Sequence, residues 1–364
     1  MNDFRSEPLE IRQAMLEGAN RVLESGWYVL GDEGVAFEKH WATVCGVRHG
    51  VGVGNGMDAI EISLRALNIG IGDEVITTPM TAFATVLAIL RSGATPVLAD
   101  IDPDTALLSL ESVNLCLSSR TKAVVLVHLY GQVRSIGAWQ TFCDQHGVAL
   151  VEDCAQAHMA AWQGQPAGSY GAAGAFSFYP TKNLGAAGDA GMVVTNDANL
   201  AERARQLRNY GQSERYQHPV LGLNSRLDEI HAAMLSARMK WLPEFTDRRR
   251  FIAEAYSRGF QNPKIRQLAP PEETAAHVYH LYVITCANRE ALQMHLKEHD
   301  IQSLIHYPVP VHLQEPCFDI KRVATGLREA EIHGKECLSL PCHPQMSSND
   351  LDRVIAAINS FKAN

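Results

Sequence analysis

Short apolar runs alternate with segments of helical periodicity between residues 51 and 152. The apolar runs occupy residues 51–53, 74–78, 96–100, 123–128 and 148–152. The segments with helical spacing occupy residues 58–67, 85–91 and 139–146. This alternation predicts an α/β fold, in which a sheet carries helices on both faces. Ligands of such sheets bind beyond the carboxyl ends of the strands, where Asn55, His128 and Asp153 are expected.

The second half of the chain has a different pattern. Helical periodicity over 227–240 and 241–260 is followed by a strand at 279–285 and by helices at 289–299 and 348–361. This pattern predicts a large α/β domain over residues 1–244 and a smaller α+β domain over residues 245–364. Within residues 1–25, apolar residues recur at helical spacing at Leu9, Ile11, Met15, Ala19 and Val22. This spacing predicts an amphipathic helix, and we expect it to cover the cleft or to pack on the small domain.

Composition argues against several classes of function. The 364 residues carry a net charge of −8 and are 46% apolar, which favours a large buried core over nucleic-acid binding. The three adjacent arginines at 248–250 are interpreted as a solvated helix face. No apolar run approaches the ~20 residues of a membrane span, and residues 1–7 lack a signal-peptide pattern. The eight cysteines form no C-x-x-C pair, so we expect reduced thiols in a cytoplasmic protein and no metal site.

Lys182 lies in a segment with the composition that a pyridoxal phosphate site requires. An apolar run ends in Asp153, and Ser177 precedes Lys182 in a segment that continues to Gly185. A lysine amine forms a Schiff base with the cofactor aldehyde, and an acid keeps the ring nitrogen protonated, so that the ring accepts electrons. Ser177 and nearby backbone N–H groups are candidates to hold the phosphate. A lysine in an enclosed site loses its proton more easily, as attack on a carbonyl requires.

Several neighbouring residues also have a structural interpretation. Asp153 would suit a pyridinium N–H⁺ as its buried partner, although a helix N-cap after a strand would explain it too. Gln156 could hydrogen-bond the cofactor's O3′ oxygen, whereas His158 fits a structural role as well as a functional one. The turn that contains Gly56 and Met57 begins a helix, and it is either a phosphate cradle or an ordinary glycine turn.

Two further segments are ambiguous from the residues alone. Asn224 and Ser225 open a predicted helix, and either could be its N-cap. The loop from His306 to His312, which includes Tyr307, is rich in proline and carries two imidazoles and a phenol. Loops of this kind often face ligands, but a structural turn explains the same residues.

Taken together, five segments resemble the DegT/DnrJ/EryC1/StrS family of sugar aminotransferases, which use pyridoxal phosphate. The segments are V-E-D-C-A-Q-A-H at 151–158, G-A-F-S-F-Y-P-T-K-N-L-G-A at 174–186, G-D-A-G at 188–191, G-L-N-S-R-L-D-E-I-H-A-A at 222–233 and H-Y-P-V-P-V-H-L-Q at 306–314. The resemblance covers nearly the whole chain. It implies fold type I, the aspartate aminotransferase fold, with a large mixed-sheet α/β domain and a smaller C-terminal α+β domain.

The resemblance implies roles for the matching residues around the cofactor. Lys182 would hold the cofactor covalently and carry protons during catalysis. Asp153 would pair with the pyridine nitrogen, and Gln156 with the O3′ side of the ring. The phosphate would be held by Ser177 and by the backbone N–H groups of Gly56 and Met57.

The resemblance also implies a homodimer with shared active sites. Asn224 would reach the phosphate of the cofactor bound to the neighbouring subunit. The loop with His306, Tyr307 and His312 would border the nucleotide-sugar pocket. One departure concerns the residue that stacks on the ring, because Ala82 stands where many members have an aromatic residue. Phe83 follows one position later and is predicted as a cofactor contact.

The activity that the resemblance implies is transfer of an amino group from glutamate to a keto sugar, with pyridoxamine phosphate carrying the amine. The segment G-V-G-N-G-M-D-A-I at 52–60 is similar to that of enzymes acting on dTDP-3-keto-6-deoxyhexoses. This similarity predicts a 3-aminotransferase in the synthesis of a lipopolysaccharide O-antigen, another glycan or a natural product. A 4-aminotransferase and an enzyme of UDP-linked sugars are alternatives within the family. A non-catalytic regulatory protein that binds the cofactor is an alternative from another class.

Overall fold

The computed structural model describes residues 4–362, so the predicted domain limits at residues 1 and 364 lie outside it. The strands in this range are β1 (His49–Val53), β2 (Glu74–Thr77), β3 (Thr95–Leu98), β4 (Thr121–Val127), β5 (Ala149–Asp153), β6 (Ala161–Trp162), β7 (Gln165–Pro166), β8 (Ala173–Ser177), β9 (Gly191–Thr195), β10 (Arg266–Gln267), β11 (Tyr282–Thr285), β12 (Lys321–Arg322) and β13 (Cys337–Leu340).

Helices occupy both halves of the described chain. They are α1 (Leu9–Ser25), α2 (Asp32–Val44), α3 (Gly56–Ala66), α4 (Phe83–Ser92), α5 (Leu110–Cys116), α6 (Ile136–His146), α7 (Ala198–Arg208), α8 (Glu229–Arg238), α9 (Leu242–Gly259), α10 (Arg289–Glu298), α11 (Arg328–Glu336) and α12 (Ser348–Ser360). None of the helices within residues 4–362 is long and apolar enough to cross a membrane.

Eight strands form one mixed sheet in the order β1-β9-β8-β5-β4-β2-β3-β12. Strand β9 runs antiparallel to both of its neighbours, and the other pairs in this sheet are parallel. The central strands are apolar on both faces because helices cover both sides of the sheet. Val127 pairs with Asp153 and Asp153 with Ala175. The carboxyl ends of three parallel strands therefore meet at one edge of the sheet, where the site lies.

A second apolar core forms around the antiparallel sheet β10-β11-β13 and the helices α9, α10 and α12. Ile252 and Tyr256 of α9 pack there with Ile284 of β11 and Ile358 of α12. This core is separate from the two apolar layers on the large sheet. The position of the domain boundary between residues 244 and 245 stays a prediction.

The N-terminal helix packs mainly on α8, which belongs to the predicted large domain. Ile11 and Val22 are buried, and a Cβ atom at Gly18 would lie 3.1 Å from the carbonyl oxygen of Ala233. The expectation that this helix packs on the small domain is therefore wrong. The apolar spacing reveals that a helix is amphipathic, but it carries no information about which surface covers its apolar face.

Two predicted elements have different limits in the structure. The helix predicted over 227–240 begins at Glu229, and the strand predicted from residue 279 begins at Tyr282. Tyr279 has a φ of 45°, in the left-handed region, which a continuous strand excludes. Glu229 is buried, and its carboxylate accepts the backbone N–H groups of Gly31, Glu33 and Gly34 at the start of α2. These contacts were not evident from apolar spacing.

Candidate active site

Lys182 lies in a tight loop between β8 and β9. Its backbone N–H donates to the carbonyl of Tyr179 at 2.8 Å, and the N–H of Ala186 donates to the carbonyl of Phe178 at 2.8 Å. A Cβ atom at Gly185 would lie 2.3 Å from the carbonyl oxygen of Pro180, so only glycine permits this closure. The loop therefore holds the Lys182 backbone in one position, and the residue is partly buried.

The environment of Lys182 makes its amine easier to deprotonate. Burial lowers the pKa of Lys182 from its usual value, and the nearby Asp153 carboxylate raises it to a smaller extent. Burial disfavours the charged form of an amine, whereas an opposite charge favours it. Because desolvation is the larger of the two effects, the amine reaches its nucleophilic form at a lower pH than an exposed lysine.

Asp153 ends β5 and is buried beside Lys182. Its Oδ1 accepts the backbone N–H of Ala155 at 3.1 Å, and its Oδ2 accepts the hydroxyl of Thr85 at 2.9 Å. The Thr85 hydroxyl also meets that of Thr81 at 2.8 Å. A carboxylate has about four acceptor positions, so Asp153 is fixed in orientation and can still accept an N–H⁺ group.

Gln156 is buried and joins the large sheet to the loop that begins at His306. Its Oε1 accepts the backbone N–H of Tyr130 at 2.6 Å, and its Nε2 donates to the Tyr307 hydroxyl at 3.3 Å. The Tyr130 hydroxyl donates in turn to the carbonyl of His306 at 2.6 Å. Burial raises the pKa of Tyr307 to about 12, so this hydroxyl keeps its proton at neutral pH. The structure thus brings together Gln156, a predicted cofactor contact, and Tyr307, a predicted substrate contact.

Three imidazoles near Lys182 are held neutral. Burial, followed by the charge of Lys182, lowers the pKa of His158 to about 3 and that of His306 to about 4. The same two causes hold the pKa of His280 well below its usual value. His158 is fully buried between Phe176 and Phe178, and its Nδ1 accepts the N–H of Leu184 at 3.1 Å. This contact supports the structural interpretation of His158, which shapes the loop after Lys182.

The N-terminus of α3 lies directly against Ser177. Asn55 caps the helix, and its side-chain oxygen accepts the N–H of Asp58 at 2.8 Å. A Cβ atom at Gly56 would lie 2.5 Å from the Cβ of Ser177, so the glycine permits the close approach. The free N–H groups of the first turn and the Ser177 hydroxyl therefore form one small polar area, which suits an anion.

These residues fit pyridoxal phosphate. An amine of lowered pKa lies beside a buried carboxylate with acceptor capacity left, as the aldehyde and the ring nitrogen require. The junction of α3 with β8 suits the phosphate, because only a residue without a side chain fits at Gly56. Lys182, Asp153, Gln156, Ser177 and Gly56 are the residues that would hold the cofactor.

Four other predicted site residues are partly or fully exposed, or are buried next to a different partner. Phe83 begins α4 and is 37% exposed, whereas Met57 is half-buried in the first turn of α3. Asn224 is exposed, and its predicted contact would be to another subunit. His312 is buried, with its Nε2 3.1 Å from a carboxylate oxygen of Glu331. The roles of these four residues stay predictions.

Some residues at the site were missed from the sequence. Thr85 orients Asp153, Tyr130 orients Gln156, and Asn183 contacts the His280 ring at 3.1 Å beside Lys182. In the segment with Thr81 and Thr85, the sequence predicts a site role for Phe83 alone, as a cofactor contact. Thr81 precedes the N-cap of α4 and Thr85 lies in its first turn, so helical spacing alone does not predict that their hydroxyls meet.

His128, Glu152 and Cys154 lie close enough together to hold a metal ion. However, the Glu152 carboxylate already meets His128 at 2.9 Å and accepts the N–H groups of Gly168 and Tyr170. Burial raises the pKa of the Cys154 thiol well above its usual value, which disfavours the thiolate that binds metals. We interpret the cluster as a hydrogen-bonded part of the core that fixes the strand before Asp153.

Comparison with known proteins agrees with this geometry. The family model described as "DegT/DnrJ/EryC1/StrS aminotransferase family" matches residues 9–359. The dTDP-3-amino-3,6-dideoxy-alpha-D-galactopyranose transaminase of Aneurinibacillus thermoaerophilus is 45% identical over 97% of this chain and 95% of its own. The erythromycin biosynthesis sensory transduction protein EryC1 of Saccharopolyspora erythraea is 43% identical over 98% of both chains.

A solved structure is also similar over nearly the full length. The crystal structure of S. venezuelae DesV in complex with a ketimine intermediate matches with a TM-score of 0.94 at 41% identity, over 98% of this chain and 96% of the other. The predicted fold class is therefore confirmed. The family match likewise confirms the predicted aminotransferase and its use of pyridoxal phosphate. The chain belongs to the DegT/DnrJ/EryC1/StrS aminotransferase family.

Proposed function

We propose that this protein moves the amino group of glutamate to the C3 keto group of a dTDP-linked 6-deoxyhexose, as a cytoplasmic homodimer. The observation that carries the chemistry is the partly buried Lys182 amine beside the Asp153 carboxylate. The choice of sugar is supported by the 45% identity to a transaminase named for a dTDP-3-amino sugar. It is also supported by the segment that contains Gly56 and Met57.

Bound pyridoxal phosphate supplies the electron sink that makes the α-proton of an amino acid removable. Lys182, once its amine is free, would take this proton from the α-carbon of glutamate and return it to C4′ of the cofactor, the carbon that receives the electron pair. The neutral state of its amine, which burial favours, is the state that accepts a proton. Asp153 keeps its orientation through Thr85 and Ala155. The second half of the reaction uses the same groups in reverse, with the keto sugar as acceptor.

The proposed homodimer is supported by exposed apolar residues on the described chain. Trp27 is 64% exposed, Val35 62%, Tyr216 80% and Leu221 87%. Trp27 and Val35 lie together, since both line one surface pocket, and grouped exposed apolar side chains often mark protein interfaces. Leu221 precedes Asn224, the residue predicted to reach the cofactor of the other subunit. A second copy of the chain would cover these residues and complete the site.

The first experiment is an absorbance spectrum of the purified protein before and after addition of glutamate. We expect a band near ~420 nm to fall while a band near ~330 nm rises, because the cofactor takes up the amine. The aminated enzyme is then offered dTDP- and UDP-linked sugars with a 3-keto or a 4-keto group. Recovery of the first band with only one of these acceptors identifies the substrate. A bound cofactor that ignores every amino donor would contradict the proposal and favour the regulatory alternative.

Replacement of Lys182 tests the chemistry itself. We expect Lys182→Ala to lower turnover by at least about 10³-fold, because the same amine anchors the cofactor and carries the proton. Single-turnover absorbance measurements with glutamate check this loss. Lys240→Ala, at an exposed lysine, is the matched control and should keep the wild-type rate. Near-normal turnover of Lys182→Ala would rule out the proposed mechanism.

A further inference from the structure

An ion pair beside Lys182 has no place in the chemistry described so far. The Arg238 guanidinium contacts the Glu7 carboxylate in a bidentate arrangement, with distances of 3.0 Å from Nη1 to Oε2 and 2.6 Å from Nη2 to Oε1. The two side chains are only 11% and 14% exposed. Paired, parallel hydrogen bonds of this kind are the geometry by which arginine recognises a carboxylate.

Arg238 and Glu7 differ in the structure that surrounds them. Arg238 is the last residue of α8, a helix that packs along α1, and its guanidinium also meets the sulfur of Met15 at 3.6 Å. Glu7 belongs to the short segment that precedes α1, whose first residue is Leu9. The guanidinium is therefore fixed by packed helices, whereas the carboxylate is carried by a segment outside any helix or strand.

This ion pair lies on the same narrow cavity as Lys182. Glu7, Arg238, Lys182, Asn183 and Arg249 all line it. The Arg249 guanidinium is occupied by the carbonyl groups of the protein, since its Nη1 donates to the oxygens of Tyr279, His280 and Cys342. The Arg238 guanidinium, in contrast, is paired with the Glu7 carboxylate.

We infer that Arg238 binds a carboxylate of the amino donor, and that Glu7 occupies this position until the donor displaces it. The inference rests on the proposed function, in which the donor is glutamate. The side chain of Glu7 carries the same carboxylate group as free glutamate, so one guanidinium fits both. Arg238 would orient the donor toward Lys182, and Glu7 would act as an internal competitor that neutralises the guanidinium in the absence of donor.

If Glu7 competes with the donor for Arg238, substitutions of Arg238 and of Glu7 should change donor affinity in opposite directions. Arg238→Gln should weaken donor binding by about tenfold or more, because a bidentate charge-assisted contact is lost. Glu7→Gln should strengthen it several-fold, because the neutral amide competes less well for the guanidinium. Arg238→Lys should lie between wild type and Arg238→Gln, since the charge remains without the planar fork. A purely structural ion pair would instead give the same sign for both partners.

The measurement uses two readouts on the holoenzyme. Isothermal titration with glutarate, which has both carboxylates but no amine, reports binding without chemistry. The concentration of glutamate that half-saturates the fall of the ~420 nm band reports the productive complex. Arg21→Gln and Glu33→Gln are controls for the loss of an Arg–Glu pair elsewhere, because these residues form a more exposed ion pair with one contact at 2.9 Å and neither lines the cavity of Lys182. Thermal unfolding and the cofactor band verify that each variant is folded.

The outcomes separate the inference from the proposed function. Opposite shifts for Arg238→Gln and Glu7→Gln, with unchanged controls, would support the inference. Shifts of the same sign, or no shift in either variant while the wild type reacts with glutamate, would overturn the inference alone. A wild type that neither reacts with glutamate nor binds glutarate would remove the proposed donor, and the inference would be rejected with it.

Discussion

Hydrogen bonds from its neighbours orient the Asp153 carboxylate for a single further partner, the N–H⁺ group of the cofactor. Thr85 and the backbone N–H of Ala155 each occupy one of its oxygens, and Thr81 contacts the Thr85 hydroxyl. A buried carboxylate without donors would be costly, so these contacts stabilise the charged form. They also fix the direction in which the remaining lone pairs point. Thr85 therefore contributes to cofactor binding although its hydroxyl is directed at Asp153.

Thr85→Val tests this contribution with little change in side-chain shape. We expect roughly tenfold weaker cofactor binding, because a hydrogen bond to a charged group contributes about 1.5–3 kcal/mol. Titration of the cofactor-free protein with pyridoxal phosphate, followed by absorbance, gives the affinity. Thr246→Val is the matched control, since the Thr246 hydroxyl is buried and donates to the carbonyl of Leu242 within its own helix. Equal affinity in Thr85→Val and wild type would show that Asp153 needs no such support.

At the scale of the elements, the site depends on the contact between the start of α3 and the end of β8. Gly191 of β9 lies equally close, because a Cβ atom there would be 2.3 Å from the carbonyl oxygen of Asn55. Two glycines thus allow the helix terminus to reach the strands. This approach brings the backbone N–H groups of α3 next to the Ser177 hydroxyl, where an anion is favoured.

Gly56→Ala tests the need for this close approach. The added methyl group would lie 2.5 Å from the Ser177 Cβ, so the helix must move away from the strand. We expect cofactor affinity to fall by at least about tenfold, because overpacking costs about 1–3 kcal/mol and the phosphate contacts separate. Gly137→Ala is the control, since its new methyl group would meet only Trp162, at 3.6 Å. Absorbance titration and thermal unfolding of both variants distinguish lost binding from lost stability.

At the scale of the whole molecule, buried imidazoles make the stability dependent on pH. Burial lowers the pKa of His158 and His277 to about 3 and that of His333 to about 4. These side chains are neutral in the folded protein at pH 5, but they bind protons in the unfolded chain below about pH 6.5. The unfolded state therefore takes up more protons as the pH falls through 6.5, and stability decreases with it.

We expect the free energy of unfolding to fall steadily between pH 7 and pH 4, by up to about 2 kcal/mol at pH 5 for each of these imidazoles. Urea denaturation across this range provides the measurement. His333→Gln should flatten the pH dependence even if it lowers stability at pH 7, because it removes one buried titrating group. The exposed His40 gives the control, and His40→Gln should keep the wild-type slope. Equal slopes for all three proteins would contradict this account.

The sequence by itself determined the class of fold and the principal chemical groups. Strand and helix periods depend on neighbouring residues, so the alternation before residue 152 predicted a sheet with helices on both faces, which includes the strand that ends at Asp153. Family motifs around Lys182 and Asp153 are likewise local, and they sufficed to predict the cofactor and the aminotransferase. The prediction of the N-terminal helix succeeded for the same reason, because its amphipathic spacing lies within one segment.

Only the tertiary structure decided which distant groups meet. The packing of α1 on α8, the contact of Thr85 with Asp153 and the ion pair of Glu7 with Arg238 each join residues far apart in the chain. The lowered pKa of Lys182 depends on burial, which many segments produce together. Contacts and desolvation are properties of the packed molecule, whereas periodicity and motifs are properties of the local chain. For this reason the sequence predicted the reacting groups, whereas the contacts and the burial that change their pKa values were visible only in the folded molecule.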